Sequence, residues 1–90
     1  MADIGNTLAE RQKTHGDFKD HANITQDLKN LIRSNPGWTV LTSSMQEALD
    51  MIAHKIGRVL SGNPEHLDHW RDIAGYATLI ERQLETVRGR

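Results

Sequence analysis

Glycine and proline cut this chain into long stretches, and the residues between the cuts favour helix. The breaks fall at Gly16-Asp17, Asn35-Pro36-Gly37, Gly62-Asn63-Pro64 and Gly89. Each is a turn signal, because glycine tolerates backbone angles other residues avoid and proline withholds the N–H that a continuing helix needs. The β-branched and aromatic residues are scattered, and no stretch alternates apolar with polar long enough to argue a strand. There is no internal repeat and no low-complexity tract. The expectation is one all-α domain over residues 1–90: a bundle of three main helices plus a short N-terminal helical segment, completed by dimerisation.

The first long helix is expected over about Asp17 to Ser34, with Asp17 as N-cap and Phe18, Ala22, Ile24, Leu28, Leu31 and Ile32 at helical spacing. Leu8 to Thr14 precedes it as a separate helical turn. Pro36 and Gly37 stop it, and Trp38, Val40 and Leu41 then form an apolar connector expected to tuck into the core. The second helix opens on Ser44 followed three residues later by Glu47, the pattern of a capping box. Met45, Leu49, Ile52, Ala53, Ile56, Val59 and Leu60 make its apolar face, and Gly62 sits where a C-cap glycine belongs. The third opens at Asn63-Pro64 and carries Trp70, Ile73, Ala77, Ile80, Leu84 and Val87 on one side. At about 24 residues it would span roughly 36 Å.

That length matters because the core must be thin. A chain of 90 residues buries only about two-thirds of its unfolded surface. With no cysteine it has neither disulfide nor thiolate metal site to add stability, so a helix protruding from the bundle points to a second copy that covers it. The formal charge of -1, from 11 basic and 12 acidic residues, supplies no field for nucleic acid or an anionic membrane. Met1 to Asn6 hold neither a basic cluster nor an apolar run, and no segment approaches the roughly 20 apolar residues of a membrane span. These features lead to the expectation of a soluble, cytoplasmic protein.

Chemistry is to be sought on the polar faces. At 100° per residue Glu47, Asp50, His54 and Arg58 fall within about 80° of one another, opposite the apolar stripe of the second helix. Asp68 and Asp72, four apart on the third, face one way. Packed side by side, Glu47, Asp50, Asp68 and Asp72 would offer a hard divalent cation the oxygen ligands it requires. The plain alternative is the wet face of an amphipathic helix, with Glu47 occupied in its capping box. Two features favour a cation: the like charges of Asp68 and Asp72 repel unless something sits between them, and Met51 lies within the polar sector. Lys55 and Arg58, one and two turns further on, would hold a nucleotide's phosphates, although Asp50 with His54 and His54 with Arg58 are equally ordinary surface neighbours. His66 and His69 are three apart, but without cysteine or a metalloprotease-type pair they do not argue zinc, and His15, His21 and His54 are scattered along the chain.

The stretches Glu47-Ala48-Leu49-Asp50-Met51-Ile52 and Asp68-His69-Trp70-Arg71-Asp72-Ile73-Ala74-Gly75-Tyr76-Ala77 resemble the all-α nucleotide pyrophosphohydrolases of the MazG-like and dimeric dUTPase-like group. Those carry an ExxE pair on one helix and an ExxD pair on the next. With Glu10-Arg11, His15-Gly16-Asp17-Phe18 and the Met51 to Arg58 run added, the chain looks like a group of small phage-encoded proteins, from Glu10 to about Leu79. The resemblance implies Mg²⁺ or Mn²⁺, a nucleoside triphosphate split to monophosphate and pyrophosphate, dimers or tetramers, and the cytoplasm of a host cell. It makes Glu47 and Asp50 the first acidic pair and Asp72 the aspartate of the second. Asp50 stands for a glutamate, however, and the position three before Asp72 is His69, so Asp68 must substitute from one residue further back. In that chemistry Glu47 or Asp50 positions or deprotonates a metal-activated water, Asp68 and Asp72 help hold the metal, Lys55 and Arg58 hold phosphate, and Trp38 or Tyr76 contacts the base.

The two substituted glutamates favour a second reading: a non-catalytic helical oligomer that binds a nucleotide or a host protein, as a phage accessory or inhibitor protein would. A purely structural oligomeric module is the third.

Overall fold

The computed structural model describes residues 4–88. Met1 to Asp3 and the Gly89 break lie outside the described residues. Helix α1 covers Ile4–His15, α2 Phe18–Arg33, a 3₁₀ helix Pro36–Val40, α3 Ser43–Ser61 and α4 Leu67–Arg88, with no strand among the described residues. The fold is therefore all-α. Its N-terminal piece is a full helix of 12 residues rather than a turn from Leu8 to Thr14.

The helix boundaries follow the breaks, but two start signals work differently from expectation. Helix α3 begins at Ser43, capped by Thr42, whose hydroxyl accepts the Met45 N–H at 3.2 Å. Ser44 thus lies inside the first turn, and its hydroxyl accepts from Gln83 of α4. Asn63-Pro64 does not open α4. The Asn63 side chain accepts the Glu65 N–H at 3.0 Å in a turn of its own, and the helix starts three residues later at Leu67. Asp17 stands at the N-cap of α2 without a side-chain cap bond. Gly62 caps α3 as expected.

Helix α3 is the central element. Helices α2 and α4 both pack along it, and α1 touches α2 and α3 more lightly. Both main pairs run antiparallel, since Arg33 and His21 of α2 meet Asp50 and His54 of α3, while Lys55 and Ser44 of α3 meet Asp72 and Gln83 of α4. Close approach is bought with small residues. Ala48 and Ala53 are buried, and a Cβ on Gly57 would collide with Thr25 and the His21 ring.

The rest of the interior is polar. His21, Thr25, Lys55 and His69 are buried, and Ala48 and Ala53 are the buried apolar residues among those described. Of the connector expected to tuck into the core, Trp38 and Leu41 are half-buried, Trp38 with the Arg33 guanidinium 5.8 Å from its ring, whereas Val40 is 83% exposed and stays outside it.

At one end the α1–α2 turn locks onto the α3–α4 turn. Gly16 has φ 84°, and a Cβ there would run into the Ser61 backbone. The Thr14 carbonyl accepts from Asn63 N–H at 2.9 Å and from His69 Nε2 at 3.0 Å, and the Ser61 hydroxyl donates to the His15 carbonyl at 3.1 Å. This joint carries the N-terminal helix to the top of α3.

Candidate functional site

The four acidic residues proposed for a metal do not converge within one chain. Asp50 turns toward α2 and accepts from Arg33 at 3.0 Å. Asp72 accepts from Lys55 at 2.7 Å across the α3–α4 seam. Asp68 lies 3.8 Å from His66 and 3.7 Å from Arg71. Glu47 is exposed and lines a groove with Tyr76, Leu79 and Gln83. Among the described residues no group of three or more His, Cys, Asp or Glu is placed to hold a metal.

Lys55 differs most from expectation. Its ammonium is not offered to solvent, because the residue is only 9% exposed and its charge is matched by Asp72. That hydrogen bond holds the Asp72 carboxyl below the usual carboxylate range, with Arg58 and His69 helping. Lys55 therefore reaches Asp72 rather than an open phosphate site.

Arg58 points the other way. One turn beyond His54 on α3, it lines a cavity of about 390 Å³ closed by α1 and the start of α2, together with Arg11, Gln12, His15, Asp17, His21 and His54, while Leu8, Gly16 and Phe18 complete the wall. Residues scattered through the sequence meet here because the Gly16 turn folds α1 back onto α3. His21 Nε2 lies 3.4 Å from His54 Nδ1 and 3.5 Å from Thr25 Oγ1. On the adjoining face the His15 and His69 rings stand 5.1 Å apart, and the His66 ring meets His69 edge-on at 4.7 Å. All five histidines of the chain thus gather around one end of α3, a clustering that the sequence spacing did not reveal.

The electrostatics are one-sided. Burial, then Arg58, with His69, Arg11 and His66 adding to it, holds the His15 imidazole down to about 4. Burial and then Arg58, with His21, Lys29 and Lys55, brings His54 to about 4 as well. His21 is lowered by burial, partly offset by the Gly57 backbone, and Arg58 is lowered by burial and by Arg11. The Nδ1 atoms of His15 and His21 are buried and have no hydrogen-bond partner; His21 Nδ1 lies against Gly57 without the geometry of a directed bond. Asp17 is the carboxylate on the wall, and neither Arg11 nor Arg58 has a carboxylate within ion-pair distance among the described residues. Two guanidiniums and three imidazoles short of negative charge suit an anion with several acceptor oxygens.

The chain belongs to the DUF6378 family. That family, a domain of unknown function, matches residues 5–84, so its extent takes in nearly all of α1, the whole of α2 and α3, and α4 up to Leu84. The interlocked turns and the histidine-lined cavity lie wholly within the DUF6378 match. No curated protein and no solved structure matches the chain.

Of the residues singled out from the sequence, Arg58 lies on the cavity wall, and Lys55 and Asp72 meet each other beside it. Asp50, Asp68 and Glu47 stand elsewhere, Trp38 sits against Arg33, and Tyr76 lines the groove with Glu47. Arg11, His15, His21 and His54 were not singled out as site residues. One signal for them is present in the sequence: His54 and Arg58 share a helix face, and Arg11 and His15 are likewise four apart.

Proposed function

We propose that this protein binds a phosphate-bearing nucleotide in the cavity between α1, α2 and α3, as a small helical binding protein. The observation that carries this reading is the pair of guanidiniums, Arg11 and Arg58, without carboxylate partners beside three imidazoles in a cavity of about 390 Å³. Such a space accepts a phosphate group and part of a nucleoside, and Phe18 and Leu8 offer the apolar surface a base would lie against. A ligand bound only by the folded state raises its melting temperature, by the equivalent of about 2.7 kcal/mol at a hundred times Kd. Thermal shift across a panel of nucleoside mono-, di- and triphosphates without metal is the test, and no shift with any of them ends the reading.

A second reading, an Mg²⁺- or Mn²⁺-dependent nucleoside triphosphate pyrophosphohydrolase, is favoured by one observation. Asp72 is half-exposed and stays charged beside Lys55 and Arg58, so it flanks the place where phosphates would lie. Within one chain the donor set does not fit a resident cation, because Asp50 and Asp72 each answer a cationic side chain. Pyrophosphate release from a nucleoside triphosphate with Mg²⁺ or Mn²⁺, lost in Asp72→Asn, would establish hydrolysis; an inactive wild-type protein across the panel leaves binding alone.

The functional unit is a homo-oligomer, a dimer or tetramer, in the same proposal. The accessible surface of 6701 Å² exceeds the about 5300 Å² of a compact protein of this mass. The radius of gyration of 15.7 Å likewise exceeds the roughly 12 Å of a compact 90-residue domain. Leu79 and Val87 on α4 and Leu60 on α3 stand in solvent. A second copy covering them in a standard interface would remove about 800 Å² from each chain, roughly half of that excess. A host protein on the same face is the alternative occupant. No helix among the described residues is long and apolar enough to cross a membrane.

A further inference from the structure

We infer that the cavity selects a doubly charged phosphate or sulfate-type anion over a singly charged diester, and that it takes up protons when the anion enters. This rests on the binding reading above and specifies its ligand class. The argument begins with how the charges around the cavity are arranged. From α1 come Arg11 and His15, from the turn Asp17, from α2 His21 with Lys29 behind it, and from α3 His54, Lys55 and Arg58; His66, His69 and Asp72 face the same end from the α4 side. Lys55 is neutralised by Asp72, whereas Arg11 and Arg58 repel each other.

Without an anion, the imidazoles stay neutral near pH 7, since charging these half-buried rings would add cations beside the Arg11 and Arg58 guanidiniums. A dianion reverses the balance. An imidazole on the wall then gains a favourable charge interaction by accepting a proton, and the His15 ring, whose Nδ1 has no hydrogen-bond partner within the protein, has no competing hydrogen bond there to hold it neutral. A monoanion offsets the two guanidiniums less completely and gives the imidazoles less reason to charge. Proton uptake means that affinity rises as pH falls. The gain operates from the region of the bound-state imidazole pKa down toward 4, where the same rings charge in the free protein.

The test uses isothermal titration calorimetry with sulfate, AMP and cyclic AMP between pH 8 and 6, in buffers of differing ionisation heat. Sulfate keeps its charge of two across this range, so any pH dependence it shows belongs to the protein. The expected result is net proton uptake and a sulfate Kd that falls with pH, at most about tenfold per unit for each proton bound. AMP should bind at least about tenfold tighter than cyclic AMP at pH 7.5, well above the phosphate's second pKa of about 6, and His15→Gln and His54→Gln should flatten the sulfate slope. Imidazole resonances followed by NMR in the wild-type protein give the same answer if either variant unfolds: both rings should titrate at higher pH with sulfate present. Binding that is flat within twofold across pH 8 to 6 with no proton uptake, or cyclic AMP binding as tightly as AMP, overturns the inference and leaves nucleotide binding standing. No binding of any of the three overturns both.

Discussion

The Lys55 ammonium donates to Asp72 Oδ2 at 2.7 Å, joining the middle helix to the last. The two partners are unequal, because Lys55 is buried and Asp72 half-exposed. Removing the carboxylate leaves a charge stranded away from water, while removing the lysine head leaves a carboxylate that can hydrate. Asp72→Ala is expected to destabilise the fold more than Lys55→Met does. Urea midpoints for the two variants check the asymmetry, and equal losses would contradict it.

Gly16→Ala should be among the most damaging single changes. Its φ is 84° and the added methyl has only the Ser61 backbone to enter, so the α1–α2 turn must move. A loss of more than about 2 kcal/mol is expected, read as a drop in melting temperature. Nucleotide binding should weaken with it, since the same turn forms one wall of the cavity.

Acid should unfold the protein earlier than a surface of this composition suggests. His15 and His54 titrate near 4 in the folded chain and near 6.5 when unfolded. Between those values the unfolded state binds more protons, so stability is full above about pH 6.5 and falls as pH drops toward 4. The screened effect is on the order of a few kcal/mol. Melting temperatures at pH 7.5, 6, 5 and 4 should decline steadily, and His54→Gln should reduce the decline.

Arg58→Ala and Arg11→Ala should each cut nucleotide affinity by about tenfold or more, since each removes a charged donor from a partly desolvated wall. Far-ultraviolet circular dichroism should stay unchanged for Arg11→Ala, whose side chain is exposed. A retained nucleotide-induced melting shift in both variants would place the ligand elsewhere.

Sedimentation should give a mass at least twice the 10.2 kDa of one chain. Leu79→Glu, at a residue more than half exposed on α4, should shift the distribution toward monomer. A monomeric wild-type protein at tens of micromolar would leave the apolar edge of α4 without a second copy.

The helices were legible because their ends are written in glycine and proline, and Gly16, Pro36 and Gly62 each mark a boundary that the structure keeps. The starts were less legible. Thr42, Ser43 and Ser44 form a run in which any hydroxyl can cap, and Thr42 wins, so the pairing of Ser44 with Glu47 does not arise. The apolar stripes mark the packed faces, yet among the described residues what lies most deeply buried is alanine, glycine, threonine, histidine and lysine. That exchange is invisible to a count of apolar residues, because Gly57 and Ala53 bring the backbones close enough for polar side chains to pair across the seams. The site was half legible. Arg58 could be picked from its helix face, but Arg11 and His15 enter the cavity only through the fold-back at Gly16, which spacing along the chain does not encode.

Loops ordinarily tolerate change while helix interiors resist it. The joint between the first and last turns inverts that rule here, since a Cβ added at Gly16 would run into the Ser61 backbone and one at Gly62 into the backbone of Thr14 and His15. Sequence drift in this protein should therefore concentrate on the outward sides of its rods and spare the two corners where they are pinned.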